Sequence, residues 1–250
     1  MTTPDLLILA AVLGAGAFVE AVAGFGGTIL ALSIGARWFG IEQLLAWFLP
    51  LNLGLSTALA LRARPAIAGG LLVRRILPMI LIGLAVGTWL ATRIDADRAR
   101  GLFASLVIVV AVVELISSLR RSAAGPTTAM RPVVQGGLLL GAGVVHGVFA
   151  TGGPLAVAVI GRMLPTKTAL RATLAVMWFV LNVIVSARLV RSGHLDGDSL
   201  WWSLHLVPAM AVGMLAGDLV HRRVAETSFR KVVAVVLLVT GGLLLQAAMR

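Results

Sequence analysis

The sequence predicts an all-α polytopic membrane protein built from two inverted repeats, each with a broken or re-entrant helix pair plus three transmembrane helices. Its composition is the first reason: of 250 residues, 59% are hydrophobic and 12% are charged, and the mean hydropathy is +1.01. A soluble domain of this size could not bury so much apolar surface. The second reason is a series of apolar runs of about 20 residues, the length that crosses a bilayer. The third is a pair of glycine-rich interruptions at corresponding places.

The first apolar run, from Leu6 to Ile41, is too long for one straight span and is cut at Gly24 to Gly27. We predict arms at 6–22 and 28–39, then spans at 43–61, 76–92 and 101–119. A polar linker rich in Arg, Gly and Pro follows at 120–132. In the second half we predict arms at 133–149 and 155–164, followed by spans at 168–189, 199–220 and 231–249. The predicted repeats are therefore 1–125 and 126–250, within one integral membrane domain.

Self-comparison supports a duplication. Three residues of the first half recur with identical spacing in the second: Pro78, Gly83 and Gly87 correspond to Pro208, Gly213 and Gly217. Glycines one helical turn apart let another helix approach closely. We interpret these pairs as packing positions that set architecture.

The positions of the basic residues distinguish between topologies. If each broken segment crosses twice or dips in and returns, about two thirds of the 21 Lys and Arg residues share one side. If each crosses once, the split is nearly even. The positive-inside rule thus favours inverted repeats, with both termini outside and the basic connections in the cytoplasm. The basic residues lie mostly between apolar runs, so membrane topology and contact with anionic lipid explain the net charge of +11. We therefore expect no nucleic acid as a partner.

The two interruptions predict a binding site near the middle of the membrane. Backbone groups loosened there must be buried in protein or line a cavity, and the N–H groups that begin the following helices favour an anion. The predicted substrate-binding residues at the breaks are Gly24, Phe25, Gly26, Gly27, Thr28, Thr151, Gly152, Gly153 and Pro154. The alternatives are that the glycines serve packing and that each threonine bonds to its own helix.

Polar residues inside the spans extend this site. Glu20 precedes the first break by four residues, and His146 has nearly the same place in the second half. Both are candidates for proton coupling; alternatively, Glu20 pairs with an arginine and His146 bonds a carbonyl. Asn52 and Asn182 occupy equivalent positions and could donate to an oxyanion or join helices.

The remaining polar residues predict no enzyme site. Four lie nearer span ends and are expected at the interface: Glu114, His205, Asp218 and His221. Four basic residues could gather anions at a vestibule, although topology also explains them: Arg62, Arg64, Lys167 and Arg171. No metal-ligand spacing, nucleophile motif or nucleotide loop is present, and the absence of cysteine excludes disulfides. We expect no metal and no cofactor.

Short glycine-based motifs resemble the TauE/SafE family of membrane transporters, the sulfite exporters and their relatives. The resemblance is carried by the segments 22–27 (VAGFGG), 147–154 (GVFATGGP) and 170–173 (LRAT), with Asn182. It implies a cell-membrane carrier of sulfite, sulfonates or other small organic anions, which agrees with the anion site expected at the breaks. The alternatives are a passive anion channel and an intramembrane enzyme. The expected partners are a small anionic substrate and membrane lipid, and a homo-oligomer stays open.

Overall fold

The computed structural model describes residues 3–35, 38–95 and 130–224, with residues 102, 105, 109, 112 and 235. Among these residues the regular structure is helical and contains no strand, so the predicted all-α class is confirmed. The predicted spans at 101–119 and 231–249 lie almost entirely outside the described residues.

The long described helices follow the predicted order of arms and spans. In chain order they are α1 Thr3–Ala23, α2 Gly27–Gly35, α3 Ile41–Arg62, α4 Gly69–Ala91, α5 Pro132–Phe149, α6 Gly153–Met163, α7 Lys167–Arg191 and α8 Gly197–Arg223. Within the described residues, six of these helices are long and apolar enough to cross a membrane: α1, α3, α4, α5, α7 and α8. This confirms a multi-pass membrane protein.

The two helices that follow the breaks are short. Helix α2 has 9 residues and α6 has 11, which at 1.5 Å per residue gives roughly 14 and 17 Å. That is about half of the bilayer core. Helix length therefore favours re-entrant second arms over full crossings, and the inverted orientation of the repeats stays a prediction.

The chain divides into two compact units, and each unit takes helices from both halves. One comprises Met1–Ile67 with Arg171–Val224, and the other comprises Ala68–Leu170 with Ala225–Arg250. We call them the first and second unit. The first unit contains the first break, and the second unit contains the second break. This division differs from the predicted repeats, whose boundary remains a prediction.

In the first unit, glycines bring α8 against α1. A Cβ atom added to Gly213 would meet the carbonyl oxygen of Gly14, and one added to Gly217 would meet that of Phe18. The approach is reciprocal, because a Cβ on Gly14 would lie 3.1 Å from the carbonyl oxygen of Ala209. Only small residues permit backbones to come this close in a membrane.

In the second unit, α4 packs on α5 by the same device. A Cβ on Gly83 would meet the carbonyl oxygen of Leu140, and one on Gly87 would meet that of Val144. When the two breaks are aligned, Leu140 and Val144 are the counterparts of Gly14 and Phe18. The two units thus repeat one helix pair at corresponding residues, and the interpretation of these glycines as packing positions is confirmed.

Helix α8 begins with a complete capping box. The Asp196 carboxylate accepts a hydrogen bond from the Ser199 N–H at 2.9 Å, and the Asp196 N–H donates to the Ser199 hydroxyl at 2.8 Å. These contacts satisfy backbone donors at the helix start. The hydrogen bonds from Ser199 also hold the pKa of the Asp196 carboxyl below its usual value. The start of α8 is therefore well defined.

Candidate functional site

The first break is three residues long and depends on glycine. Helix α1 ends at Ala23 and α2 begins at Gly27. Between them Gly24 has φ +83° and Gly26 has φ +93°, a left-handed region that side chains other than hydrogen disfavour. Phe25 between the two glycines is fully buried. The predicted interruption is therefore a real change of backbone direction inside the protein.

The carbonyl groups at the end of α1 are satisfied by side chains from distant helices. Arg171 Nη1 donates to the Ala21 carbonyl at 2.8 Å, and His221 Nδ1 donates to the Val22 carbonyl at 2.8 Å. Trp178 Nε1 donates to the Gly24 carbonyl at 2.8 Å. A helix end leaves carbonyls without intrahelical partners, and no water in the bilayer core replaces them. Helices α7 and α8 therefore hold the first break in place.

Glu20 belongs to α1, and its carboxylate lies beside the start of α2, where it is hydrogen-bonded to an amide. Its carboxylate is buried and accepts from Asn52 Nδ2 at 2.8 Å. A Cβ on Gly27 would meet the same carboxylate. Within the part of the chain that the structure describes, no arginine pairs with Glu20, which removes the expected alternative of an ion pair.

The two equivalent asparagines belong to one hydrogen-bonded chain. Asn182 Nδ2 donates to Asn52 Oδ1 at 2.7 Å, and the Ser56 hydroxyl donates to the same oxygen at 3.2 Å. Together with the bond to Glu20, this chain connects α7, α3 and α1. The asparagines therefore join helices, which was one of the two expected alternatives. Asn52 also bonds the Glu20 carboxylate beside the first break, and Asn182 bonds Asn52.

A charged cluster adjoins the first break. Arg171 Nη1 lies 2.8 Å from Asp218 Oδ1, and Arg222 and Arg62 approach Asp218 Oδ2 at 3.0 and 3.3 Å. Arg171 and Asp218 are buried, as is His221. Asp218 contacts arginines of α3, α7 and α8, and His221 contacts α1 through the Val22 carbonyl. Their expected position at the membrane interface stays a prediction.

The second break has the length of the first and also begins with a left-handed residue, but its third residue differs: Gly152 has φ −80°, whereas Gly26 has φ +93°. Helix α5 ends at Phe149 and α6 begins at Gly153, with three residues between them. Ala150 stands at the place of Gly24 and is left-handed, with φ 52°. The Gly152 N–H donates to His146 Nδ1 at 3.4 Å. The Nδ1 atom of His146 therefore accepts from an N–H group, whereas the expected alternative was a bond to a carbonyl. Pro154 lies in the first turn of α6, where its missing N–H costs nothing.

The structure brings the predicted site residues together in two sets. The first unit holds Glu20, Gly24, Phe25, Gly26, Gly27, Thr28, Asn52 and Asn182. The second unit holds His146, Thr151, Gly152, Gly153 and Pro154. All thirteen residues are buried. Among the described residues, no group of three His, Asp or Glu side chains is placed to hold a metal ion.

Sequence reasoning missed the side chains that hold the first break. The sequence suggests Arg171 only as a residue that gathers anions at a vestibule, and it suggests no role for Trp178. The available signal was weak: Arg171 falls within the short motif Leu170–Thr173, and a charge within an apolar segment favours function by default. Pairing it with Asp218 requires the tertiary structure.

Comparison with known proteins agrees with this architecture. The sequence model of the family described as "Sulfite exporter TauE/SafE" matches residues 8–244. The "Probable inner membrane transporter protein TsaS" of Comamonas testosteroni is 28% identical over 168 residues, which cover 66% of this chain and 68% of that protein. No solved structure matches. The similarities indicate a transporter rather than an enzyme, and they confirm the predicted location in the cell membrane. Because the match spans nearly the whole chain, the protein belongs to the TauE/SafE family of membrane transporters.

Proposed function

We propose that this protein is a secondary transporter that exports small sulfur-containing or organic anions, such as sulfite, sulfonates and sulfoacetate-like compounds. Export is coupled to the proton gradient, and the substrate binds at the two helix breaks near the membrane midplane. The family description supports the substrate class. The breaks supply the chemistry, since each begins a short helix inside the protein.

The observation that carries the proposal is the pair of buried helix starts. Gly27 and Thr28 open α2, and Gly153 and Pro154 open α6; all four residues are buried. The first N–H groups of a helix have no intrahelical acceptor and lie at the positive end of its dipole. Sulfite and sulfonate groups carry three oxygens that suit several converging donors. The Thr28 and Thr151 hydroxyls and the Asn52 and Asn182 amides would add donors.

Glu20 links proton binding to anion binding at the first break. Its carboxylate lies against Gly27, where an anion would approach the start of α2. A charged carboxylate there repels the anion, whereas a protonated one does not. Proton and anion therefore favour each other's binding, and this reciprocity is a coupling free energy between the two ligands. The two then cross the membrane together, so the net direction of transport follows from the sum of the proton and anion gradients.

His146 would act in the same direction at the second break. In the structure its Nδ1 accepts from the Gly152 N–H, which occupies a donor that an anion would use. Protonation of Nδ1 breaks this bond, frees the N–H and adds a positive charge. Both breaks thus respond to a proton by becoming better anion sites.

Flux from liposomes containing the purified protein tests the proposal. Vesicles are loaded with sulfite, sulfoacetate or a simple sulfonate whose charge does not change near neutral pH. We expect saturable efflux that accelerates when the lumen is acidic and slows when a protonophore collapses the gradient. Efflux whose rate does not depend on the proton gradient, and which shows no counterflow, would identify a passive channel. No flux and no thermal stabilisation by any of these anions would reject the proposed substrate class.

A further inference from the structure

The side chain of Arg171 packs directly on the first break. Arg171 is 5% exposed. A Cβ on Gly24 would lie 3.2 Å from its Cα and 3.4 Å from its Cγ. Its Nη1 donates to the Ala21 carbonyl at 2.8 Å. The stem of this arginine therefore covers the left-handed glycine, and its guanidinium lies beside the last turn of α1.

One donor of this guanidinium is left over. Within the described residues, Arg171 Nε is buried and has no hydrogen-bond acceptor. Buried polar groups without a partner are rare, and each requires an explanation. The Nε–H of Arg171 is shielded from water and lies beside a break that is suited to anions. An anion that binds there during transport would be its missing acceptor.

The charge balance around Arg171 points in the same direction. Asp218 is a single carboxylate contacted by three arginines: Arg171, Arg62 and Arg222. Arg62 and Arg222 are partly exposed, so solvent and lipid phosphates can screen them, but Arg171 and Asp218 are buried. Charges at such positions need compensation by partners. Asp218 is shared among three cations, so positive charge remains for a further anion.

We infer that the guanidinium of Arg171 is the charged ligand of the transported anion at the first break. This rests on the proposed function and deepens it, because it specifies an oxyanion that presents two oxygens to a planar fork. The guanidinium offers parallel donors for such a pair, which a lysine cannot reproduce. Asp218 positions the fork by binding Nη1 and leaves Nε for the substrate.

The test measures the half-saturation concentration (KM) of efflux for sulfite and for sulfoacetate in reconstituted variants. We expect Arg171→Gln to raise KM at least tenfold, and Arg171→Lys to raise it several-fold because charge is kept but the fork is lost. Arg188→Gln is the matched control. Arg188 lies on the same helix, and its Nε is likewise buried without a hydrogen-bond acceptor. It pairs with Glu42 on α3 at 3.2 Å, so its removal should leave KM unchanged if contact with the first break, and not the unpaired Nε alone, makes Arg171 an anion ligand.

A double variant separates anion binding from a merely structural ion pair. If Arg171 serves only to neutralise Asp218, Arg171→Gln/Asp218→Asn should restore the wild-type KM. If Arg171 binds the anion, the double variant keeps the raised KM, and Asp218→Asn alone raises KM less than Arg171→Gln does, because the fork loses its positioning partner but keeps its charge. Restoration by the double variant, or a wild-type KM in Arg171→Lys, overturns the inference. Absence of saturable flux in the wild type would instead reject the proposed function, so the two failures are distinguishable.

Discussion

The two breaks share their length and a left-handed first residue, but they differ in the backbone of their third residue, left-handed at Gly26 and not at Gly152, and in their side chains. In both, three residues separate the helices, the first of them is left-handed, and its N–H donates to a carbonyl four residues earlier at 2.7 Å. At the first break the earlier residue is Glu20, and at the second it is His146. The first break is further surrounded by Asn52, Arg171 and Trp178.

The difference shows which features a duplicated scaffold retains. The three-residue break with its left-handed first residue and the glycine-mediated helix pairs occur in both units, because they depend on backbone conformation and close approach. Charged and amide side chains cluster at the first break. We therefore expect backbone variants to act alike at the two breaks and side-chain variants to act mainly at the first.

The largest effects are expected from alanine at Gly27, the first residue of α2, and at Gly152, the residue that immediately precedes α6. A Cβ at Gly27 would lie 2.7 Å from the Gly16 carbonyl oxygen and would also meet Glu20. A Cβ at Gly152 would meet the Ala142 carbonyl oxygen and lie 3.2 Å from the His146 Cβ. Such overpacking costs about 1–3 kcal/mol and moves the N–H groups. Flux assays should show a loss of more than about tenfold for both variants, since ~1.4 kcal/mol is tenfold.

Gly54→Ala is the control for both variants. Gly54 lies within α3 and has nothing within 4 Å of its Cβ position, so its substitution should preserve transport and leave the melting temperature unchanged or slightly raised. If Gly152→Ala transports normally while Gly27→Ala does not, the second break has no part in binding, and the two breaks are not equivalent in function.

The second prediction compares the two proton candidates. Glu20→Gln keeps a group that can bond Asn52 but cannot ionise, so efflux should lose its acceleration by an acidic lumen. His146→Gln should weaken this dependence less, because the bond from Gly152 to His146 is long, at 3.4 Å, and weak bonds contribute less coupling. The readout is the ratio of initial rates with and without the gradient. An unchanged ratio in Glu20→Gln would remove this residue from the coupling mechanism.

Much of the scaffold could be predicted from the sequence, because its signals are local. Apolar length located the helices, and the pair Gly26–Gly27 marked the first break to within a residue of the start of α2. The spacing of Gly83 and Gly87 predicted close helix packing, which α4 and α5 show.

The partners at the first break could not be predicted, because they are set by long-range contacts. Arg171 lies 150 residues from Ala21, and His221 lies 199 residues from Val22. A polar residue near the end of an apolar run has the same hydropathy whether it faces the interface or a neighbouring helix. The burial of Asp218 beside Arg171 could therefore not be predicted.

A smaller effect is expected when one of these long-range bonds is removed. Trp178→Phe deletes the Nε1–H that donates to the Gly24 carbonyl and keeps an aromatic ring. An intramembrane hydrogen bond of this kind contributes about 0.6–1.7 kcal/mol, so the melting temperature should fall slightly and flux about two- to fourfold. Phe179→Leu, at a 40% exposed neighbour on the same helix, is the control. Equal melting temperatures for Trp178→Phe and the wild type would show that this bond does not hold the break.

The smallest effect, and the one of opposite sign, is expected from Ala150→Gly. Ala150 adopts φ 52° where the first break has Gly24, and a left-handed conformation costs a residue with a Cβ about 1–2 kcal/mol. Glycine removes this cost but loses more entropy on folding, by about 0.5–1 kcal/mol, so the net gain is about 0.5 kcal/mol or slightly more. The melting temperature should rise a little while flux stays near the wild-type level. Ala158→Gly within α6 introduces the same residue into right-handed helical backbone and should lower it. A fall in both variants would mean that the alanine contributes contacts which outweigh its backbone strain, and the two breaks would then differ in their scaffold as well as in their side chains.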